Sequence, residues 1–124
     1  MNLKEINPLV LAYLGDSVYE TYIRLFLVKK NIPNIGSLQK ESLSYVTAKS
    51  QASILTKLID DNFFDEEELT IIRRARNTKG HKTPKGCDLA TYHFATAFEA
   101  VIGYLYLKGD NEKIMNLMEK IEME

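Results

Sequence analysis

Leu89-Ala-Thr-Tyr-His-Phe-Ala-Thr-Ala-Phe-Glu-Ala-Val-Ile-Gly-Tyr-Leu-Tyr-Leu107 is the stretch that decides how this chain folds, because Glu99 is its only formal charge. A bilayer span needs about 20 mostly apolar residues and tolerates a central carboxylate poorly. Here Glu99, His93, Thr96 and Gly103 all interrupt the run. The stretch therefore reads as a buried helix of a soluble protein, with no membrane association. Tyr92, Thr96, Glu99 and Gly103 recur every three or four residues, and at about 100° per residue they form a stripe roughly 60° wide.

A second helix shares this pattern. Asn7 followed by Pro8 is an N-cap with proline at the first helical position, and the helix is expected to run to about Val28. After Tyr13 its polar residues are Asp16, Ser17, Glu20, Thr21 and Arg24, all in one sector. The chain thus has two helices that are apolar around most of their circumference.

Helical periodicity also governs the rest, with no hairpin signal and no sustained two-residue alternation. Asn31 to Gly36 reads as a turn-rich loop. Ser37 is the expected cap of a helical pattern reaching about Ile59, bent near Ala48 to Ser50. Asp65 with Glu68 three residues on resembles a capping box, opening a helix that ends in Arg73, Arg74 and Arg76. Asn77 to Asp88 holds Gly80, Pro84 and Gly86 and is expected to be a loop. Gly109 ends the Leu89 helix, and Asp110 caps a last amphipathic one. The expectation is one all-α domain over residues 1–124.

Composition narrows the class. A hydrophobic fraction of 45% excludes disorder, and a single cysteine, Cys87, excludes an intrachain disulfide and a thiolate zinc site. A reducing, cytoplasmic setting follows as the default. The start MNLKEINP lacks the features of a signal peptide. The net charge of −1 hides a segregation: Asp60 to Glu68 holds six acids and no bases, and Arg73 to Lys85 six bases and no acids. A basic loop of this kind suits phosphate.

Glu99 carries the chemistry. A carboxylate on so apolar a helix must be paired, hydrogen-bonded, protonated or bound to a cation. One reading pairs it with Arg24 or a loop lysine. The other has Asp16 and Glu99 meeting where their helices pack and holding Mg²⁺, with Mn²⁺ as a substitute, since hard oxygen ligands suit these ions. Two such apolar helices also strain the covering capacity of one small domain, so self-association into a homodimer is expected. His81 lies in the basic loop, where phosphate contact and no special role are both open; His93 lacks a second histidine at ligand spacing and reads as packing; and Cys87 lacks a histidine partner for nucleophilic work. The tyrosines fall at core-like positions.

Leu11-Ala-Tyr-Leu-Gly-Asp-Ser-Val18 resembles the signature helix of the ribonuclease III family, and Thr96-Ala-Phe-Glu-Ala-Val-Ile-Gly103 resembles its second motif. The Mini-III branch fits over nearly the whole chain. Its marks are Ala12 to Asp16, Ala48-Lys-Ser-Gln-Ala52, Arg76-Asn-Thr-Lys79, Thr83-Pro-Lys85 and Ala95 to Ala100. The resemblance implies a helical bundle like the ribonuclease III endonuclease domain, without the family's separate RNA-binding domain. It also implies a metal-dependent endoribonuclease that cuts double-stranded RNA, leaves 5′-phosphate and 3′-hydroxyl ends, and matures precursor large-subunit (23S) ribosomal RNA.

Of the four metal-site carboxylates in larger members, only Asp16 and Glu99 match here. Ala12 and Thr96 stand at the other two places. Glu20 and Thr96 are candidate outer partners of the ion. Arg73, Arg74, Arg76, Asn77, Lys79, Lys82 and Lys85 are the candidate RNA contacts, because A-form duplexes are read through phosphates and 2′-hydroxyls. No organic cofactor is implied. The rival readings are a non-catalytic double-stranded-RNA-binding module and a helical scaffold.

Overall fold

The computed structural model describes residues 1–78 and 85–122, and helices are the only extended elements among them. A short 3₁₀ turn, Leu3–Glu5, precedes six helices: α1 Pro8–Lys29, α2 Ile35–Val46, α3 Ala48–Asp60, α4 Glu66–Arg76, α5 Leu89–Lys108 and α6 Asn111–Glu122. The all-α expectation holds.

Most helix ends are fixed by local chemistry. The Asn7 side chain accepts from the Leu9 amide, with Pro8 opening α1. At α4 the capping box is complete: Asp65 Oδ1 accepts from the Glu68 amide at 2.8 Å, and Glu68 Oε1 from the Asp65 amide at 3.0 Å. Gly109, at φ 82°, closes α5 in the left-handed conformation, and the Asp110 amide reaches back to the Leu105 carbonyl. Asp110 then caps α6 through the Lys113 amide.

Two expectations change. Asn34, rather than Ser37, caps the second helix: its side chain accepts from the Ser37 amide, so Ile35 and Gly36 are already helical. The pattern reaching Ile59 is also two helices rather than one bent one. Thr47 is extended (ψ 154°), ends α2, and caps α3 by accepting from the Ser50 amide.

Helix α5 is the axis of the molecule. It packs most extensively on α1, then on α4 and α3, and its middle is buried from Ala95 through Phe98 and from Ala100 through Leu105. Two glycines set how closely α1 and α5 approach. A Cβ on Gly15 would fall onto the Glu99 carbonyl oxygen, and one on Gly103 onto the Leu11 carbonyl. The helices therefore touch backbone to backbone, which only glycine permits. Tyr19 fills the adjoining core, edge-on to Phe98 at a centroid distance of 4.9 Å, and donates its hydroxyl to the Tyr45 carbonyl at 2.8 Å.

The far side of α5 is held by a polar lock. Glu68, 1% exposed, takes the Lys113 ammonium at 2.9 Å on the same Oε1 that completes the capping box. Lys113 also lies over the Phe63 ring. This joins α6 to the start of α4.

A carboxylate pair at the crossing of two helices

The backbone contact at Gly15 and Gly103 places the residue after one glycine beside the residue four before the other. Asp16 follows Gly15 and is exposed. Glu99 is mostly buried, and the two carboxyl groups come within hydrogen-bonding range. Arg24, one candidate partner of Glu99, pairs instead with Glu20, one turn away at 3.3 Å, and the candidate loop lysines Lys79 and Lys82 lie outside the described residues. Among the described residues, the side chains that most affect the proton affinity of Glu99, after burial itself, are Asp16, Gln51 and Glu20, none of them a cation.

The electrostatics follow from this arrangement. Burial, first, pushes the Glu99 carboxyl up to about 8. The Asp16 hydrogen bond and charge add to that, the Gln51 amide opposes it, and Glu20 adds a smaller push. At neutral pH the Glu99 carboxyl therefore tends to retain its proton. Two carboxylates held this closely are destabilised as a doubly ionised pair unless positive charge joins them. Their oxygens are hard donors of the type that divalent cations such as Mg²⁺ and Mn²⁺ take. Among the described residues, no three His, Cys, Asp or Glu side chains are grouped so as to share an ion.

The two candidate outer partners differ. Glu20 lies on α1 one turn past Asp16, half-buried and bonded to Arg24. Thr96 is 5% exposed and donates its hydroxyl to the Tyr92 carbonyl at 3.0 Å. Its hydroxyl proton is thus committed inside α5.

Gln51 was not singled out among the candidate site residues. It is 3% exposed, on α3, with its side chain between the Val46 carbonyl (3.4 Å) and Glu99. Its only sequence signal was membership of the Ala48–Ala52 run.

The basic candidates scatter more. Arg73, Arg76, Asn77 and Lys85 are exposed, and Arg76 lies over the Phe94 ring at 5.3 Å. Arg74 is half-buried and gives its guanidinium to the Lys4 and Ile6 carbonyls, tying the N-terminal segment to α4. Lys79, Lys82 and His81 lie outside the described residues. Lys85, Lys49 and Thr91 line an open groove at the start of α5. His93 is half-buried on α5. Two tyrosines depart from expectation: Tyr13 is 83% exposed, one turn before Asp16, and Tyr106 is 48% exposed. Among the described residues, no helix is long and apolar enough to cross a membrane.

Known proteins resemble this chain in sequence and fold. Residues 9–110 match the family description "Ribonuclease III domain". The chain is 45% identical over 114 residues to the Mini-ribonuclease 3 of Thermoanaerobacter sp., covering 92% of this chain and 79% of that protein. It is 42% identical over 120 residues to that of Staphylococcus aureus, covering 97% and 90%. A crystal structure of a Fusobacterium nucleatum protein superposes with a TM-score of 0.86 at 36% identity, covering 94% of this chain and 93% of that one. Enzymes of this family depend on metal ions. A match of this extent sets aside the readings as a non-catalytic module or a scaffold: the chain belongs to the ribonuclease III family, in its Mini-ribonuclease 3 branch, and is an endoribonuclease.

Proposed function

We propose that this endoribonuclease cleaves double-stranded RNA with Mg²⁺ held by Asp16 and Glu99, acts as a homodimer in the cytoplasm, and matures precursor 23S ribosomal RNA. The observation that carries the reading is the Asp16–Glu99 pair, set side by side by the glycine contact and short of positive charge. Mn²⁺, with the same preference for oxygen donors, would substitute.

When bound, the cation supplies positive charge against the phosphate and acidifies water. The chain's own groups do the rest. Asp16, exposed, meets both ion and solvent. Glu99, anchored in the core, fixes the direction of approach. Water adds to phosphorus and the bond to the 3′-oxygen breaks, so the phosphate stays on the 5′ end and the 3′-oxygen leaves as a hydroxyl. Glu20 is an outer partner, and Thr96 contributes through its lone pairs while packing the helix.

Arg73, Arg76, Asn77 and Lys85, with Lys79 and Lys82, are the proposed contacts to duplex phosphates and 2′-hydroxyls. Arg74 acts indirectly, by holding α4 to the N-terminal segment. A second copy fits the outer side of α1, where Val10, Tyr13, Leu25 and Val28 remain exposed.

The test is cleavage of a labelled RNA duplex by wild type and Asp16→Asn, with Mg²⁺ and with chelator. Cutting by wild type with Mg²⁺ alone supports the reading. Equal cutting by Asp16→Asn, or cutting unaffected by chelator, overturns the assignment of the site. Cleavage confined to single-stranded RNA overturns the substrate.

A further inference from the structure

We propose that Gln51 is a positioning residue for the ion site, holding the Glu99 carboxylate by an amide hydrogen bond donated from a third helix. The inference rests on the metal-site reading above. Only α1 and α5 carry the two carboxylates, and a pair on two helices leaves the Glu99 side chain a rotational freedom that the glycine contact does not remove. Gln51 enters from α3, 97% removed from solvent, and lies against both the Val46 carbonyl and Glu99.

A buried amide is costly unless its polar atoms are partnered, so the two contacts define its orientation. With Nε2 facing the Val46 carbonyl at 3.4 Å, the amide keeps a second hydrogen for Glu99, whose carboxyl it acidifies by a side-chain hydrogen bond. The Val46 carbonyl sits at a fixed corner: this residue ends α2 immediately before the extended Thr47, whose side chain caps α3 and whose carbonyl accepts from the Gln51 backbone amide at 2.9 Å. The break between α2 and α3 is thereby coupled to the direction of the Glu99 carboxylate.

The residue type matters as much as the place. Lysine or arginine at position 51 would orient Glu99 equally well, but would neutralise it and compete with a cation. Another carboxylate could not donate while ionised. A neutral donor orients the carboxylate and leaves its charge for the ion.

The test is Gln51→Met, which keeps the length and volume of the side chain without its donor, beside Gln51→Leu should the methionine variant fold poorly. Mg²⁺ affinity is read without RNA, from the rise in unfolding temperature on titration at pH 8, and cleavage kinetics are read separately. The expected result is a Mg²⁺ midpoint raised about tenfold, as loss of a hydrogen bond to a charged group implies, and a lower kcat at a fixed sub-saturating Mg²⁺ concentration with KM for duplex RNA unchanged. A structural role alone would lower the unfolding temperature equally with and without Mg²⁺ and leave the midpoint in place, and that result overturns the proposal. If wild type itself shows no Mg²⁺ response, the metal-site reading fails first and this inference falls with it.

Discussion

Replacing Glu99 by glutamine should stabilise the metal-free protein while abolishing its response to Mg²⁺. In the folded chain the Glu99 carboxyl titrates near 8, against 4.5 unperturbed. Its folded value is the higher one, so the folded state binds more protons between these limits. The stabilisation from protonation is complete below about pH 4.5 and is lost as pH rises through 8. At about 1.4 kcal/mol per pH unit, that interval has a ceiling of about 5 kcal/mol. Water entry and side-chain relaxation around a carboxyl that is not fully enclosed reduce it, and about 2–3 kcal/mol is the expected size. Glutamine resembles the protonated acid in shape and cannot ionise. Its advantage should therefore appear only as the wild-type residue loses its proton.

The assay is thermal unfolding of both proteins in chelator from pH 5 to pH 9, repeated with saturating Mg²⁺. For a chain of this length, about 2–3 kcal/mol corresponds to roughly 6–12 °C. Wild type should lose that much between pH 5 and pH 8 in chelator and regain much of it with Mg²⁺ at pH 8, because an ion that binds only the folded state stabilises it. The variant should be flat across the range and indifferent to Mg²⁺. Glu67 and Asp88 are carboxylates held below their ordinary values, so their contributions disappear only toward acid and leave this window clear. A variant less stable than wild type at pH 8 in chelator would refute the reasoning, since Glu99 would then be stabilised as an anion by the protein itself.

Four other outcomes follow from the packing and the charge distribution. Gly15→Ala should destabilise the fold by about 3 kcal/mol in urea unfolding, because its Cβ meets backbone that cannot move aside, and it should also blunt the Mg²⁺ response by separating the carboxylates. Lys113→Met should cost about 3–5 kcal/mol by leaving buried Glu68 without its counter-ion, and adding Glu68→Gln should recover part of the loss in the same assay. In duplex RNA binding measured against salt, removing Arg76 or Lys85 should reduce the log–log slope by about one. Arg74→Ala should instead lower stability at an unchanged slope, because its guanidinium holds the N-terminal segment.

What could be read from the sequence was chiefly what short-range chemistry decides. The Asn7–Pro8 start, the Asp65–Glu68 box, and the Gly109 and Asp110 punctuation each lie within one turn of the group they satisfy. Asn34 and Ser37 were harder to separate, since both are good caps and the side chain of one binds the amide of the other. Thr47 was missed because a threonine within a helical pattern looks tolerable until its backbone turns extended. The site divides in the same way. The apolar surroundings of Asp16 and Glu99 marked them out, but Gln51 is joined to Glu99 by tertiary packing across 48 positions, and Arg74 to Ile6 across 68. Neither join leaves a periodic trace. The exposure of Tyr13 was illegible for a related reason: a helix apolar nearly all round does not reveal which flank its own domain leaves uncovered.

The glycine contact and the raised Glu99 titration are two sides of one construction. Bringing α1 and α5 together at the backbone removes the side-chain volume that would otherwise keep Asp16 and Glu99 apart. That proximity adds to the burial of Glu99 in making the doubly ionised pair unfavourable without an ion. The penalty is tolerable because α5 is covered on its other flanks by α3, α4 and α6, and the Glu68–Lys113 lock joins two of these without drawing on the site. A cation that relieves the repulsion binds with a free energy that includes the relief. If Asp16 and Glu99 hold an ion as proposed, that relief adds to its affinity. At the proposed ion site, affinity would then depend on how closely the pair is held: moving the helices apart would relieve the carboxylate repulsion at a cost in packing, and would weaken the grip on the ion.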